Sequence, residues 1–205
     1  MFGEKEFNLW VDEYDKMVEE SAKVNKYPFA GYYDVLDGIF QTVSSKPNSI
    51  VLDLGFGTGK LTTRLYENNH IIYGQDYSNK MIELALNKMP NAKLYEGDFS
   101  KGLVEPLRQN KYDFIISTYA FHHLKDDEKI SFVKELLKYL NTNGSILIGD
   151  IMFETYKDMD DCKNLALNDW DEEENYFIVN EIKQLFPKLS FTKVTFCSGI
   201  LSFTN

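Results

Sequence analysis

Residues 51–59 read Val-Leu-Asp-Leu-Gly-Phe-Gly-Thr-Gly, an apolar run that contains one acid and ends in three alternating glycines. Val51, Leu52 and Leu54 predict a strand that is buried on both faces, as in the middle of a parallel sheet. The glycines then lead into a helical pattern that begins at Lys60. Glycine permits positive φ and lets a ligand approach bare backbone, and the N-terminus of the following helix offers free N–H groups. The stretch therefore predicts a nucleotide-like ligand at the end of the first strand.

The spacing of the glycines narrows the choice of ligand. A dinucleotide-binding fingerprint has the form G-x-G-x-x-G. Counted from Gly55 it needs a glycine at position 60, which is Lys60, and the third glycine is Gly59 instead. The second predicted strand leads to Asp76, about where a carboxylate accepts hydrogen bonds from ribose hydroxyls. The G-x-G-x-G form, with Asp53 two residues before it, points away from NAD and towards S-adenosylmethionine. The alternative is a glycine-rich turn without a ligand.

Composition limits the partners and the location of the chain. The 205 residues carry a formal net charge of −10, with 22 Lys and Arg against 32 Asp and Glu. Nucleic acids and anionic membrane surfaces attract basic proteins, so we expect neither as a partner. No apolar stretch approaches the roughly 20 residues of a membrane span, and the N-terminus lacks the basic start and apolar run of a signal peptide. Two cysteines match no metal or redox pattern. Together these features predict a cytoplasmic protein, and they leave its oligomeric state open.

Strand and helix signals alternate along the chain. Two amphipathic helices are predicted at 8–21 and 30–43, and strands at 50–54, 71–75, 93–95, 112–117 and 145–152. A turn is expected at Asn143-Gly144, and residues 100–111 are expected to be irregular. A last helix over 180–186 precedes two strands joined around Ser198-Gly199. The connection between these strands is too short for the crossover that parallel strands need, so one of the two must be antiparallel. The pattern predicts an α/β fold, a Rossmann-like three-layer sandwich with a mostly parallel seven-stranded sheet and one antiparallel strand near the C-terminus.

Several motifs occur in a recognisable order along this pattern. They are the glycine loop at 53–59, Asp76, Gly97-Asp98-Phe99 after the third strand, the fourth strand at 112–117, and the stretch 143–148. Together they resemble the class I S-adenosylmethionine-dependent methyltransferases. Residues 8–15 and 117–124 look, more narrowly, like the YrrT-type methyltransferases of Gram-positive bacteria.

The resemblance covers nearly the whole chain, and it implies one methyltransferase domain over 1–205 that acts on a small-molecule acceptor. Its parts are an N-terminal helical cap (1–45), a cofactor-binding core (46–153), and an acidic insertion with the last helix and strand pair (154–205).

The resemblance also implies a role for each residue of the glycine loop. Gly55, Phe56 and Gly57 would offer backbone groups to the methionine part of S-adenosylmethionine. Asp53 would either hold the loop in shape or face the ammonium group of the cofactor, and Gly59 belongs to the same binding set.

The adenosine part would lie against residues that follow the second, third and fourth strands. Asp76 would bind the ribose, and Tyr77 would pack on the adenine. Asp98 would accept a hydrogen bond from the adenine amino group, and the N–H of Phe99 would reach a ring nitrogen. The alternative for Asp98 is an exposed turn acid. Ser117, at the end of the fourth strand, completes the expected binding set.

Two residues are candidates for catalysis, Tyr14 and His122. Methyl transfer needs alignment and exclusion of water more than side-chain chemistry. Tyr14 falls within the matching N-terminal stretch, and an aromatic face can hold a sulfonium cation. His122 would serve as general base towards a hydroxyl or thiol acceptor. The neighbouring His123 invites a metal interpretation, but a pair without a nearby carboxylate ligand set is a poor metal site, and two sequence neighbours point in different directions, so no metal site is expected.

Residues 154–175 contain eight acids between Asp158 and Glu174. This segment is expected to be either a solvated acidic helix and loop or a lid that favours a neutral or cationic acceptor. Two other functions stay open from the residues alone. One is a non-catalytic module that binds S-adenosylmethionine or S-adenosylhomocysteine (SAH), because methyl transfer requires no signature nucleophile. The other is a nucleotide-dependent reductase, which Lys60 in place of a third glycine disfavours.

Overall fold

A mixed sheet forms the centre of the protein in the computed structural model, which describes residues 18, 21 and 23–205. The order of its main strands is β3-β2-β1-β4-β5-β8-β7, and the short β6 pairs with β5 outside this path. The strands are β1 Ile50–Leu54, β2 Ile71–Asp76, β3 Lys93–Glu96, β4 Tyr112–Thr118, β5 Leu140–Phe153, β6 Phe177–Ile178, β7 Ser190–Lys193 and β8 Ser198–Thr204. Strand β8 runs antiparallel to both of its neighbours, whereas β1 to β5 are parallel. The predicted sheet and its single reversed strand are confirmed.

Helices cover both faces of this sheet. They are α1 Tyr32–Ser44, α2 Lys60–Glu67, α3 Asn79–Lys88, α4 Glu105–Arg108, α5 Asp126–Leu136, α6 Tyr156–Ala166 and α7 Val179–Leu185. Apolar clusters on the two faces bury β1 and β4 almost completely, which explains why their sequences are apolar on both sides. No helix in the described part of the chain is both long and apolar enough to span a membrane.

The structure corrects three sequence predictions. Asn143 and Gly144 lie inside β5 rather than in a turn before it. Asn143 has a φ of +62°, and a Cβ on Gly144 would lie 3.0 Å from the carbonyl oxygen of Tyr112. The register between β4 and β5 is irregular here, with a shift between Tyr112 and Phe114. Residues 100–111 are not wholly irregular, because they contain the short helix α4. Pro106 fits the first turn of this helix, where the backbone N–H has no partner within the helix.

The third correction concerns the C-terminal strand pair. Gly199 pairs with Lys193 within the ladder of β7 and β8, so the connection lies at residues 194–197 and not around Ser198-Gly199. A Cβ on Gly199 would lie 2.5 Å from the ring of Phe191, so glycine is needed here for packing rather than for a turn. The small β6, which sequence analysis did not predict, extends the edge of β5 beside Met152 and Phe153.

Candidate functional site

A cavity of about 1300 Å³ opens at the carboxyl ends of the parallel strands. Residues that follow four strands line it, among them Gly55 and Gly57 after β1, Asp98 after β3, and His122 after β4. Ligands of α/β sheets bind at this edge. Pockets for single drug-sized ligands usually measure roughly 300–1,000 Å³, so this cavity has room for a cofactor and a second molecule.

The glycine loop exposes bare backbone at one position. All three glycines have positive φ, +72° at Gly55, +54° at Gly57 and +76° at Gly59. A Cβ at Gly55 would come within 2.8 Å of Ala120, whereas a Cβ at Gly57 would meet nothing within 4 Å and would enter the cavity. Gly59 is the left-handed N-cap of α2, and its Cβ would lie 3.4 Å from the side chain of Met89, the C-cap of α3.

Asp76 at the end of β2 holds this loop in place. Its Oδ2 accepts a hydrogen bond from the N–H of Gly57, and its Oδ1 accepts one from the N–H of Ser78, each at 2.9 Å. Burial raises the pKa of Asp76, although the backbone hydrogen bonds oppose that effect. The side chain also lines the cavity, so a predicted ribose-binding acid lies beside the open backbone of Gly57.

Asp53 lies behind the loop, inside the protein. Its Oδ2 accepts a hydrogen bond from Oγ1 of Thr62 at 2.5 Å, which ties the end of β1 to α2. Its Oδ1 is buried and has no hydrogen-bond partner among the described residues. Burial, together with the charge of Asp76, raises the pKa of Asp53 to about 7. Two roles were expected for Asp53, to hold the loop in shape or to face the ammonium group of the cofactor. The hydrogen bond with Thr62 supports the first of these roles.

The residues expected around adenine surround the same opening. Tyr77 is 78% exposed and lines the cavity. Asp98 is the N-cap of a 3-10 turn, where Oδ1 accepts from the N–H of Ser100 at 3.0 Å and from its hydroxyl at 2.6 Å. The hydroxyl of Ser100 lowers the pKa of Asp98. Phe99 lines the cavity and stacks on Phe121 at 5.8 Å between ring centroids.

Four members of the expected binding set, Asp53, Phe56, Gly59 and Ser117, do not line the cavity. The side chain of Phe56 packs among Ile82, Ala85 and Met89. The hydroxyl of Ser117 donates a hydrogen bond to the carbonyl oxygen of Leu54 at 2.7 Å. Their packing fixes the neighbouring backbone, and direct cofactor contacts by Phe56 and Ser117 stay predictions.

The His pair after β4 has carboxylate neighbours that sequence analysis missed. Nδ1 of His122 lies 2.6 Å from Oδ1 of Asp150, a fully buried residue of β5. Oε2 of Glu174 lies 3.1 Å from Nδ1 of His123 and 3.8 Å from Nε2 of His122. Burial would lower the pKa of His122, but Asp150 and Glu174 raise it above the usual value. The expectation that no carboxylate lies near the pair is therefore wrong.

Aromatic residues join the acidic segment to the chain before α1. Tyr27 stacks on Trp170 with ring centroids 5.0 Å apart, and its hydroxyl lies 2.5 Å from that of Tyr176. The N–H of Asp171 donates to the same Tyr27 hydroxyl at 3.2 Å. Tyr27, Asp171 and Tyr176 all line the cavity. The segment thus packs over the site, while Tyr14, the other catalytic candidate, lies outside the described residues.

One missed signal was present in the sequence. Asp150 lies near the carboxyl end of β5, after a run of apolar residues. Because β5 runs parallel to β4, this end of the strand lies at the same edge of the sheet as the glycine loop. Glu174 and Tyr176 had no such local signal, because they belong to a connecting segment.

Comparisons with known proteins agree with this arrangement. Residues 51–144 match a family model described as a methyltransferase domain. An uncharacterized methyltransferase of Anoxybacillus flavithermus is 35% identical over 197 residues, covering 93% of this chain and 89% of the relative. The uncharacterized methyltransferase YrrT of Halobacillus halophilus is 30% identical over 194 residues, covering 90% and 87%. The fold is similar to that of the magnesium protoporphyrin IX methyltransferase of Synechocystis with bound SAH, with a TM-score of 0.68, 18% identity, and coverage of 86% and 85%.

Proposed function

The chain belongs to the methyltransferase family of these relatives, and on this premise we propose that it transfers a methyl group from S-adenosylmethionine to a small-molecule acceptor. The observation that carries the proposal is the contact between Gly57 and Asp76. It places backbone open to the cavity next to a carboxylate of the kind that binds ribose hydroxyls.

The residues present fit this cofactor. The space at Gly57 would take the methionine part against bare backbone, and Asp76 keeps further acceptor capacity for ribose hydroxyls beside the backbone N–H groups that donate to it. Tyr77 offers an exposed ring for adenine, and Asp98 offers a carboxylate at the same rim. When bound, S-adenosylmethionine supplies an electrophilic methyl group, and its carbon–sulfur bond breaks with both electrons going to sulfur.

The acidic and aromatic part of the cavity wall supports a compact acceptor. Asp169, Asp171 and Glu174 line it together with Tyr27 and Tyr176. These acids disfavour phosphorylated molecules by charge repulsion, and they suit neutral or cationic acceptors. The aromatic side chains would exclude water from the reacting atoms, which favours transfer over side reactions. A basic track for nucleic acid is not expected at a net charge of −10.

Calorimetric titration tests the cofactor assignment. We expect S-adenosylmethionine and SAH to bind with one site per chain, and NAD and NADP not to bind. Binding of nicotinamide cofactors without binding of SAH would favour a reductase and contradict the proposal.

A turnover assay separates an enzyme from a non-catalytic binding module. Formation of SAH is measured with a panel of amine, thiol, hydroxyl and carboxylate acceptors, each compared with a phosphorylated analogue. We expect turnover with a neutral or cationic member of the panel. SAH binding without turnover on any acceptor class would favour the binding module.

A further inference from the structure

Three side chains of the cavity wall converge although they come from distant segments. His122 and His123 lie in a 3-10 turn after β4, and Glu174 lies just before β6. One ligand atom from each residue lies within 4.8 Å of the other two. A backbone hydrogen bond of 2.8 Å from the N–H of Asn175 to the carbonyl oxygen of His122 keeps the two segments together. Their approach is therefore built into the fold.

The distances suit ligands that share one metal ion. Zinc binds histidine nitrogen and carboxylate oxygen at about 2.0–2.2 Å, so two ligands of a tetrahedral site lie roughly 3.3 Å apart. Oε2 of Glu174 is 3.1 Å from Nδ1 of His123 and 3.8 Å from Nε2 of His122. Small side-chain adjustments would place all three atoms around one ion.

Asp150 supplies a second, independent feature of metal sites. Its Oδ1 accepts a hydrogen bond from Nδ1 of His122 at 2.6 Å, and its Oδ2 accepts from the N–H groups of Phe121 and His122. A proton on Nδ1 leaves the lone pair of Nε2 free on the side of Glu174. Histidines that bind metals usually donate their other N–H to a carboxylate in this way.

We propose that His122, His123 and Glu174 bind one divalent transition-metal ion, with Asp150 as the positioning residue behind His122. Two imidazoles favour zinc or a neighbouring transition metal over magnesium or calcium, which prefer oxygen ligands. Three protein ligands leave at least one coordination position towards the cavity, as in catalytic zinc sites.

If the proposed function holds, a metal ion at this site would have a specific role in methyl transfer. The open position would take the heteroatom of an acceptor, whose proton leaves to water as coordination lowers its pKa. The freed electron pair then forms the new bond to the methyl carbon while the carbon–sulfur bond breaks. Nε2 of His122 cannot both hold a metal and accept a proton, so this role replaces general-base catalysis by His122.

Zinc titration of tag-free, chelator-treated protein tests the site. The chain has three histidines, and the third, His70, accepts a hydrogen bond from the N–H of Ser49 in another part of the fold, so one high-affinity zinc per chain is readily assigned. We expect Glu174→Gln and His123→Gln to weaken zinc binding by more than the roughly 10–100-fold that loss of an outer partner costs. The loss of zinc affinity in Asp150→Asn should fall within that range of roughly 10–100-fold.

Glu173→Gln is the matched control, because it removes the same charge from the neighbouring exposed position. It should leave zinc affinity within about twofold of wild type, because salt screens the interaction between an exposed charge and the metal site. Absence of zinc binding, or equal loss in Glu173→Gln and Glu174→Gln, would overturn the site and leave an ion pair between histidine and glutamate. SAH titration of the zinc-free protein keeps this outcome distinct from failure of the cofactor assignment.

Discussion

The main-chain N–H of Gly57 donates a hydrogen bond to Oδ2 of Asp76 over 2.9 Å, so the loop after β1 is fastened to the acid that ends β2. The Cβ position of Gly57 faces the cavity, and its φ of +54° is one that side chains with Cβ rarely adopt. The open backbone and the carboxylate therefore act as one unit, and changes at either residue should be felt in ligand affinity.

Gly57→Val should abolish SAH binding while the protein stays folded. The branched side chain would fill the space that the ligand needs, and the positive φ adds backbone strain. Calorimetry with SAH measures the loss, and circular dichroism with thermal unfolding checks the fold.

Asn48→Val is the control for strain, because Asn48 has a φ of +55° and lies exposed before β1, at the other end of the sheet. It should lower the unfolding temperature and leave SAH affinity unchanged. Wild-type affinity in Gly57→Val would mean that the loop is only a turn.

Asp76→Ala should weaken SAH binding by about 1.5–3 kcal/mol, the usual range for hydrogen bonds to a charged group. Asp76→Asn should lose less, because its amide oxygen still accepts one hydrogen bond, although its NH₂ faces a backbone donor. Calorimetry should be repeated with an SAH analogue that lacks the ribose hydroxyls. Equal losses for both ligands would exclude ribose recognition by Asp76.

Asp53 should make the folded protein less stable as pH rises from about 4 to 7. Burial raises its pKa from 3.8 to about 7, so across this range the folded protein holds a proton that the unfolded chain releases. The free energy of unfolding gained at low pH is then lost as pH rises through the folded-state pKa. Asp53→Asn cannot titrate and should lack this decline.

Denaturant unfolding at several pH values measures that difference. Asp160→Asn, on the exposed surface of α6, is the matched control and should follow the wild-type profile. Parallel pH profiles for wild type and Asp53→Asn would show that the burial of Asp53 does not raise its pKa.

Cofactor binding should slow hydrogen exchange in residues 8–33 and 167–176. Tyr27 and Asp171 belong to these segments, line the cavity and are joined through the Tyr27 hydroxyl, so ordering one segment should order the other. Mass spectrometry with and without SAH measures the change, and α7 at Val179–Leu185 serves as the internal reference. No added protection in 8–33 would rule out a covering role for that stretch.

Tyr27→Phe tests the coupling between the two segments. The change removes the hydroxyl contacts with Tyr176 and the N–H of Asp171 but keeps the ring that stacks on Trp170. Protection of 167–176 on SAH binding should fall, whereas Tyr33→Phe, at a partly exposed ring nearby, should keep it.

Local sequence was enough to predict most of the sheet. The boundaries of β1 were predicted without error, and those of β2, β3 and β4 were each one residue short. The strands β1, β2 and β4 lie inside the sheet, where burial on both faces needs continuous apolar runs. The family resemblance to YrrT-type methyltransferases is confirmed by the relatives. The roles of the individual cofactor-binding residues and the cytoplasmic location stay predictions.

The sequence by itself determined the order of strands and helices, the glycine loop and the acid at Asp76, because these depend on residues close together in the chain. Only the tertiary structure decided which side chains meet across the cavity. Glu174 reaches His123 from 51 positions away, and Tyr27 meets Tyr176 from 149 positions away. Such contacts depend on how connecting segments pack over the edge of the sheet. The periodic spacing of apolar residues predicts helices and strands, but it carries no information about that packing.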